Sequence, residues 1–557
     1  MPLVSTLASD LTARFTEVST NALRMLPEPV AHKLTDDWGV TPTLLTALAA
    51  TSAAAAATLY VRSQRSNNPT TKAGTNKSGN GQAPPHVKHW IPFFGSMVAY
   101  GMDPLAFLAR HRAELGDVFT FTMFGREMTY ALGPDGNNAV FNVKLSHASA
   151  EKAYNSLTKP IFGPGVVYDT ENHIFMDQKK IGKTGMSIEN LRAYVPMIED
   201  ETRNYFARWD RMHGGQQELF KALAELVIMT ASRCLMGPEI RSKLDESVAG
   251  LYHDLDQGFQ PINFLFEWLP LPSYARRDVA HAKMRDLFMS IIAKRQAEEP
   301  KREYTDVLQT YMTATYKNGT PFSPEEAAYM MIALLMAGQH TSSTTSTWAL
   351  AYLADRPDVW AQVEAELRRE LGADLKGTLD YDTLKRCVLL DAIVKETLRL
   401  RSPIHAIMRK VEQPLEIGGY LVPVGHYLCA SPSVSQVDPV AYPNPEQWEP
   451  SRWVETKSGT KPDDEGPGED FGFGAVSGSA RSNYLPFGAG RHRCIGEPFA
   501  FVQIKTILAT FVREFASVRF DAPHVFPKRD YTSMVVMPER PVMLSYERRV
   551  PPSMTTA

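Results

Sequence analysis

The sequence predicts a mainly α-helical fold with small β-sheets, and three observations support this fold class. Amphipathic segments with apolar residues at helical spacing dominate the chain from Asp103 onward. One of them begins at a capping box at Ser323 and extends for roughly thirty residues. Strand-like patterns are short by comparison. They occur at residues 118–123, 128–132, 404–409 and 532–536.

The net charge and the cysteine spacing limit the classes of function that this chain can have. The 557 residues carry a net charge of −3, so the charge balance does not indicate a nucleic-acid partner. The four cysteines are scattered along the chain, without the paired spacing of a zinc site or a disulfide framework. That distribution is typical of a protein in a reducing compartment. The cysteines are Cys234, Cys387, Cys429 and Cys494.

The N-terminal part predicts an association with a membrane. Residues 1–37 have apolar side chains near helical spacing, as in a helix on a membrane surface or in an ordinary packing helix. Residues 38–61 contain no charged side chain and are long enough to span a bilayer. A transmembrane anchor is favoured there, and a buried alanine-rich helix is the alternative. Because acidic residues precede this segment and basic residues follow it, the rest of the chain is expected in the cytosol.

The remaining chain divides into a linker and one large domain. Residues 62–83 are rich in Ser, Asn, Gly, Thr and Lys, which indicates a flexible linker. Proline-containing stretches follow, and a single domain is expected over residues 84–557. Within it, residues 455–482 are rich in Gly, Asp and Ser, as expected for a surface insert without regular structure.

The features of a cofactor site are concentrated in one short stretch, Phe487-Gly488-Ala489-Gly490-Arg491-His492-Arg493-Cys494-Ile495-Gly496. The glycines allow the main chain to turn tightly and to approach a flat ligand closely. Backbone N–H groups and basic side chains around Cys494 favour the thiolate, and the apolar run that follows predicts a helix beginning beside the sulfur. Such a thiolate can act as the axial ligand of haem iron. A buried, inert cysteine in a glycine turn is the alternative.

The long helix predicted from Ser323 contains a polar island. Its first half is apolar, and then Ala337-Gly338-Gln339-His340-Thr341 interrupts the pattern. Buried hydroxyl and imidazole groups need partners, so a polar run inside a buried helix requires an explanation. The small side chains leave room for a flat ring, and Thr341 can bond back to the preceding turn. A core histidine among back-bonded hydroxyls is the alternative interpretation.

Three separate stretches carry a resemblance to a known family. The cysteine stretch resembles the haem-binding loop of the cytochromes P450, within a similar region of roughly residues 84–550. Residues 154–183 form an aromatic and glycine-rich loop that resembles the segment that marks sterol 14α-demethylases, in particular the fungal ones. His340 stands where most P450 relatives carry an acid, and His492 stands where many carry arginine. Both departures are the pattern of the sterol 14α-demethylases.

The resemblance implies a cytochrome P450 fold, haem b and sterol 14α-demethylase activity. Such enzymes remove the 14α-methyl group of lanosterol or eburicol as formate, in three monooxygenations that each consume O₂ and two electrons, during ergosterol biosynthesis. Because the chain has no convincing flavin or nicotinamide motif, NADPH is expected to supply electrons through a separate cytochrome P450 reductase. The implied location is the endoplasmic reticulum membrane, with a single span, a cytosolic catalytic domain and a monomeric state.

The resemblance also implies roles for individual residues. Thr341 and His340 are expected to deliver protons, and Cys494 is expected to ligate the haem iron. The residues expected to hold or border the haem are Tyr154, Lys179, Arg409, His492, His405, Phe487, Gly488 and Gly338. The residues expected to line the substrate pocket are Tyr168, Phe162, Phe259, Phe264, Ala337, Ile404 and Met534.

A structural network is expected behind the haem. Glu396 and Arg399 share one face of a helix whose apolar neighbours indicate burial, although most pairs at this spacing are solvated surface pairs. The resemblance adds Arg452, in Pro450-Ser451-Arg452-Trp453, as a third member. We assign these three residues a structural role rather than a chemical one.

Two other functions remain open from the sequence. One is a P450 of the same fold that acts on another terpenoid or on a xenobiotic. The other is a non-enzymatic haem-based sensor or sterol carrier. A carrier would not need the His340-Thr341 pair, so that pair favours an enzyme.

Overall fold

The computed structural model describes most of residues 81–549. The gaps in that range are residues 90–92, 210–213, 245, 261–262, 265–270, 299–303, 455–468, 471–474, 477–478 and 522–525. The predicted segments 1–37 and 38–61, and the linker 62–83 up to residue 80, lie outside the described residues. Within the described part of the chain, no helix combines the length and the hydropathy needed to cross a bilayer.

Helices make up most of the described structure. Their bounds are α1 Met97–Met102, α2 Pro104–Leu115, α3 Gly133–Phe141, α4 Glu151–Phe162, α5 Asn172–Thr184, α6 Ile188–Phe206, α7 Leu219–Leu235, α8 Pro238–Lys243, α9 Glu246–Asp256, α10 Pro272–Ala297, α11 Val307–Met312, α12 Pro324–Asp355, α13 Pro357–Leu371, α14 Tyr381–Arg386, α15 Val388–Leu400, α16 Pro432–Ser435 and α17 Glu497–Glu514. Short 3₁₀ turns lie at Val167–Asp169, Gln257–Phe259, Pro450–Trp453 and Gly490–His492.

The strands are short and fall into separate small sheets. Their bounds are β1 Val118–Met123, β2 Arg126–Ala131, β3 Ala148–Ser149, β4 Gly214–Glu218, β5 Ile407–Val411, β6 Leu415–Ile417, β7 Tyr420–Val422, β8 Tyr427–Ala430, β9 Glu469–Asp470, β10 Ala475–Val476, β11 Phe515–Arg519, β12 Arg529–Asp530, β13 Met537–Pro538 and β14 Met543–Arg548. A five-stranded sheet has the order β1-β2-β8-β5-β3, in which only β2 and β8 pair in parallel. A three-stranded sheet has the order β11-β14-β4, and β6-β7, β9-β10 and β12-β13 form antiparallel pairs.

The core is built around α12, which packs against α4, α7, α10 and α17. Its start is the predicted capping box: Oγ of Ser323 accepts the Glu326 N–H at 3.1 Å, and the Glu326 carboxylate accepts the Ser323 N–H at 2.8 Å. The helix ends at Asp355, before Pro357, where proline removes a backbone donor. Both ends of the long helix therefore agree with the sequence prediction.

The strand predictions are confirmed in part. β1 and β2 coincide with the predicted runs and pair antiparallel, and Phe119 and Phe121 of β1 are buried. β5 begins at Ile407, three residues later than predicted. The prediction of a strand at residues 532–536 was wrong. There the Asp530 carboxylate accepts the N–H of Thr532 at 2.8 Å and turns the chain between β12 and β13.

Two short strands occur where composition predicted no regular structure. Within residues 455–482, β9 and β10 pair antiparallel, with Val476 opposite Glu469 and Ala475 opposite Asp470. Val476 is the only β-branched residue in β9 and β10, so the β-propensity of these residues did not indicate a strand pair.

The charged residues expected behind the site form a buried network. Both carboxylate oxygens of Glu396 accept from Arg399, at 2.8 and 2.9 Å, and the two side chains are fully buried. Arg452 adds a contact of 3.2 Å to the same carboxylate. Nε1 of Trp453 donates to Glu396 at 2.9 Å, and the N–H of Glu449 donates at 3.0 Å. The carboxylate thus joins α15 to the Pro450–Trp453 turn with all its contacts satisfied.

Substitution of Glu396 by glutamine should strongly destabilise the fold. A neutral amide leaves the Arg399 guanidinium uncompensated in the interior, so the free energy of unfolding should fall by about 3–5 kcal/mol. Denaturant titration followed by tryptophan fluorescence measures the change. The control is Glu114→Gln, which breaks the exposed Arg110–Glu114 pair and should leave the unfolding midpoint unchanged. Equal midpoints for Glu396→Gln and the unsubstituted protein would contradict a supporting role.

Candidate active site

The cysteine stretch folds as a closed loop immediately before α17. The Cys494 N–H donates to the Phe487 carbonyl at 3.0 Å, and the Arg493 N–H donates to the Gly490 carbonyl at 3.0 Å. Gly490 has a left-handed backbone with φ of 61°, and a Cβ there would lie 2.9 Å from the carbonyl oxygen of Phe141. Only glycine fits this close approach, so the loop rests directly on the end of α3.

The sulfur of Cys494 lies at the start of α17. The Gly496 N–H donates to it and favours the thiolate, but burial has the larger effect and raises the pKa of the thiol. Although protein surrounds this residue, its side chain keeps exposed area, as a side chain does when it borders an internal space. Cys234, Cys387 and Cys429 are by contrast buried against other side chains. The thiol that faces open space is the one expected to bind iron.

The polar island of α12 also borders open space. Ala337 is exposed although the helix around it is buried, and a Cβ on Gly338 would meet nothing within 4 Å. Oγ1 of Thr341 donates to the Ala337 carbonyl at 2.8 Å, the back-bond that the sequence predicted. Residues 337–341 therefore form a notch in the side of a long buried helix, lined by small side chains and one hydroxyl.

A group of basic side chains lies beside the cysteine loop. Nζ of Lys179 donates to the carbonyls of Arg491 and Arg493, at 2.7 and 2.8 Å. Burial lowers the pKa of Lys179 to about 7, and the positive charges of Lys183 and Arg409 add to this effect. Burial and the neighbouring charges of Arg409 and Lys179 hold the pKa of His492 well below its ordinary value.

Arg409 is the centre of this basic group. It is buried, and its guanidinium donates to the neighbouring Met408 carbonyl at 2.7 Å. Among the described residues, no carboxylate lies within ion-pairing distance of Arg409. Because a buried charge without a counter-ion is costly, the surroundings of Arg409 suit an added anion.

Two tyrosines line the same region. The hydroxyl of Tyr154 accepts the Met408 N–H at 2.8 Å, and its ring stacks on Tyr168 with 5.2 Å between centroids. The Tyr168 ring also lies 6.0 Å from His492 and 5.4 Å from Phe175. The structure thus brings Tyr154 and Tyr168 together, with Tyr168 against His492 of the cysteine loop.

His405 and Ile404 precede β5. Nε2 of His405 lies 3.1 Å from the Tyr100 hydroxyl, whereas Nδ1 is buried and has no hydrogen-bond partner in the part of the chain that the structure describes. Burial lowers the pKa of His405 to about 4, so the ring is neutral. Ile404 is 40% exposed. An apolar side chain with this much exposed area suits a position on a cavity wall.

The aromatic residues predicted for the substrate pocket come together. The rings of Phe162 and Phe259 lie 5.6 Å apart. Phe259, Phe264 and Met534 share one apolar cluster, with Phe264 packed on Tyr427. The apolar stretch 258–272 that carries Phe259 and Phe264 is described only in part. Its described residues place both phenylalanines against the wall formed by α4 and β8.

The sequence gave no signal for one site residue, Asp256. Its Oδ1 lies 2.7 Å from Nε2 of His340, although neither ring nitrogen of His340 makes a directed hydrogen bond. Asp256 ends α9, and an acid at the end of an amphipathic helix is a common surface feature. Only the tertiary packing shows that this carboxylate faces the polar island.

The assembled residues fit a haem group. An exposed thiol at a helix start and the open space beside Gly338 suit a flat ring. The basic group around Arg409 and the partnerless Nδ1 of His405 suit two carboxylates.

Comparison with known proteins places these features in a family. The cytochrome P450 family model matches residues 84–546. A lanosterol 14-alpha demethylase of Cunninghamella elegans is 48% identical over 475 residues, covering 84% of this chain and 92% of that protein. A protein of the same name from Mycosarcoma maydis is 47% identical and covers 82% and 86%. An eburicol 14-alpha-demethylase of Uncinula necator is 44% identical and covers 84% and 90%.

A solved structure agrees on the fold alone. Retinoic acid bound cyanobacterial CYP120A1 has a TM-score of 0.70 and 21% identity, and the match covers 84% of this chain and 100% of that chain. With the family model and the fungal relatives, this likeness confirms the expected fold and the resemblance drawn from the three motifs. The chain belongs to the cytochrome P450 family of haem-dependent monooxygenases, and the relatives compared above at 44–48% identity are fungal proteins named lanosterol or eburicol 14-alpha demethylase.

Proposed function

We propose that this P450 is a sterol 14α-demethylase that removes the 14α-methyl group of lanosterol or eburicol. The observation that carries the proposal is the exposed Cys494 thiol in a closed loop beside a buried basic group. The relatives named for this reaction, at 43–48% identity, supply the substrate class. The reaction consists of three O₂-dependent steps that release formate and serves ergosterol biosynthesis.

Haem b would be the cofactor, held through the sulfur of Cys494. A haem with a thiolate ligand supplies the oxygen chemistry, because the sulfur donates electron density that favours O–O cleavage. The protein's contribution at the sulfur is the Gly496 N–H, which stabilises negative charge there. Phe487, Gly488 and Gly338 are proposed to border the ring. Because Gly338 has no side chain, α12 can approach the ring face closely.

The propionates of the haem are proposed to meet the basic group. Arg409 has no carboxylate partner among the described residues. Nζ of Lys179 donates a hydrogen bond to the Arg491 carbonyl of the cysteine loop. An anion beside Lys179 would favour its charged form and offset the effect of burial. Tyr154 and the neutral imidazoles of His492 and His405 supply further hydrogen-bonding groups.

Protons for the reaction are proposed to pass through Thr341 and His340. The Thr341 hydroxyl lies in the notch and donates to the Ala337 carbonyl, and this hydroxyl would hold and pass on a proton at Oγ1. His340 stands next in the chain and lies 2.7 Å from the Asp256 carboxylate. A histidine beside a carboxylate can pass a proton from one ring nitrogen to the other.

The sterol is proposed to lie against the aromatic wall. A rigid apolar ring system is held by apolar area and shape, and aromatic side chains provide both. The residues proposed to form this wall are Tyr168, Phe162, Phe259, Phe264, Ile404, Met534 and Ala337, of which Phe259, Phe264 and Met534 share one apolar cluster and Phe162 packs on Phe259. Few polar groups are needed because the substrate itself has few.

The proposed electron donor is NADPH, acting through a separate cytochrome P450 reductase. A basic surface near the cysteine loop would attract an acidic flavoprotein. Arg493 contributes little to that surface because it pairs with Glu497 at 2.7 Å. Lys180 and Lys183 of α5 are exposed and carry the charge instead.

The chain is proposed to be a monomer in the endoplasmic reticulum membrane, held by residues 38–61, with the domain 84–557 in the cytosol. Exposed apolar side chains near the start of the described chain support lipid contact. Val98 and Met102 of α1 are 53% and 65% exposed, and Phe93 beside them is 39% exposed. Residues 1–37 would lie on the membrane surface.

Release of labelled formate tests the function directly. The full chain, reductase and NADPH are supplied with lanosterol or eburicol that carries an isotopic label in the 14α-methyl group. We expect labelled formate, and the ratio of the two rates ranks the two sterols. If a sample with intact haem and thiolate ligation released none, the sterol assignment would be wrong and the P450 would act on another terpenoid or on a xenobiotic.

Thr341→Ala should reduce turnover while sterol binding stays near normal. Loss of a positioned proton donor typically costs about 10²-fold or more in rate. Formate release measures turnover, and the optical shift on sterol addition measures binding. The matched control is Thr345→Ala, since Thr345 makes the same back-bond to the Thr341 carbonyl, at 2.7 Å, but is buried. Unchanged turnover in Thr341→Ala would count against the relay.

A further inference from the structure

The segment Gly163–Asp169, which carries Tyr168, is held in an unfavourable conformation. Val167 has φ of 54°, a left-handed backbone that a β-branched residue rarely adopts. Such a conformation persists only where neighbouring groups impose it. The structure therefore needs specific contacts that keep this segment in place.

One clamp comes from α5. The side chain of Gln178 is fully buried, and its Oε1 accepts the Val167 N–H at 3.0 Å. Its Nε2 donates to the Gly165 carbonyl at 2.9 Å and lies 3.3 Å from the Tyr316 hydroxyl. One amide thus bonds both ends of the strained turn Gly165–Val167, which directly precedes Tyr168.

A second clamp comes from within the segment and from α4. The Asp169 carboxylate accepts the Gly165 N–H at 3.1 Å and Nδ2 of Asn155 at 2.7 Å. Nδ2 of Asn155 also donates to the Tyr168 carbonyl at 3.2 Å. These contacts hold the Tyr168 carbonyl and the residue after it, so the two clamps together fix the backbone around Tyr168.

The position of Gln178 in α5 links this segment to the cysteine loop. The next residue, Lys179, donates to the carbonyls of Arg491 and Arg493. Two consecutive side chains of one helix therefore hold the Tyr168 segment and the Cys494 loop. The spacing between the pocket wall and the iron ligand is set by this helix.

We infer that Gln178 is a positioning residue for substrate binding, which acts through the Gly165–Val167 turn to set the position of Tyr168. The inference rests on the proposed function, because Tyr168 belongs to the proposed sterol pocket. Its consequence is that loss of the amide weakens sterol binding while the haem ligation stays intact.

The test compares Gln178→Leu with a matched control in the full-length holoenzyme. Leucine keeps the volume and removes the side-chain hydrogen bonds to Val167, Gly165 and Tyr316. The control is Gln503→Leu, because Gln503 is equally buried and donates to the Val227 carbonyl at 3.1 Å and to Thr230 at 2.8 Å, in the α7–α17 contact. Any general cost of removing a buried amide appears in both variants.

Two readouts are measured for each variant. Amide hydrogen exchange of residues 163–170 should rise about tenfold or more in Gln178→Leu and stay unchanged in Gln503→Leu. The dissociation constant for lanosterol or eburicol should rise about tenfold in Gln178→Leu alone, with the reduced carbon-monoxide spectrum retained in both. Gln178→Glu, which keeps the acceptor for Val167, should fall between Gln178→Leu and the unsubstituted protein.

Each contrary outcome has one meaning. Unchanged exchange in Gln178→Leu would show that the clamp does not hold the segment, and faster exchange with unchanged sterol affinity would show that the clamp does not act on the substrate. Either result overturns the inference. If the unsubstituted protein binds neither sterol, the proposed function fails and the inference about substrate binding fails with it, while the exchange data still show whether the clamp exists.

Discussion

The site depends on one constraint, the closed loop that holds the sulfur of Cys494 at the start of α17. Hydrogen bonds to the Phe487 and Gly490 carbonyls fix the loop, and the left-handed Gly490 lets it rest on α3. Lys179 joins the basic group to that loop, and we propose that the notch in α12 completes the same site. The long helix must be buried to hold its position, and it must also have small side chains where a flat ring approaches.

The buried arginine of the structural network and the buried arginine of the candidate site differ in whether a carboxylate compensates their charge. Arg399 is fully compensated by Glu396, and further donors complete the contacts of that carboxylate. Arg409 is equally buried, but no described carboxylate lies within ion-pairing distance of it. A satisfied buried charge stabilises one arrangement of the chain, whereas an uncompensated one indicates where an anionic group belongs. The same reasoning applies to the partnerless Nδ1 of His405.

Local patterns in the sequence predicted much of the fold and the main site residues. Some features are each formed by one continuous stretch of sequence, so their chemistry is visible without tertiary structure. These features are the capping box at Ser323, the polar island at Thr341 and the cysteine loop. The contact between Asp256 and His340 joins two helices distant in sequence, and nothing in either local pattern predicts it. The bend after Asp530 was missed because a side-chain hydrogen bond overrides the strand propensity of the valines that follow.

The most direct test of the account is the reduced carbon-monoxide spectrum of Cys494→Ser beside that of the unsubstituted full chain. The account predicts the thiolate-type band in the unsubstituted protein and its loss in Cys494→Ser, with unchanged circular dichroism showing that the fold persists. A thiolate-type band retained in Cys494→Ser would contradict the account, since the iron would then bind to another residue and the loop, the notch and the basic group would not form one haem site.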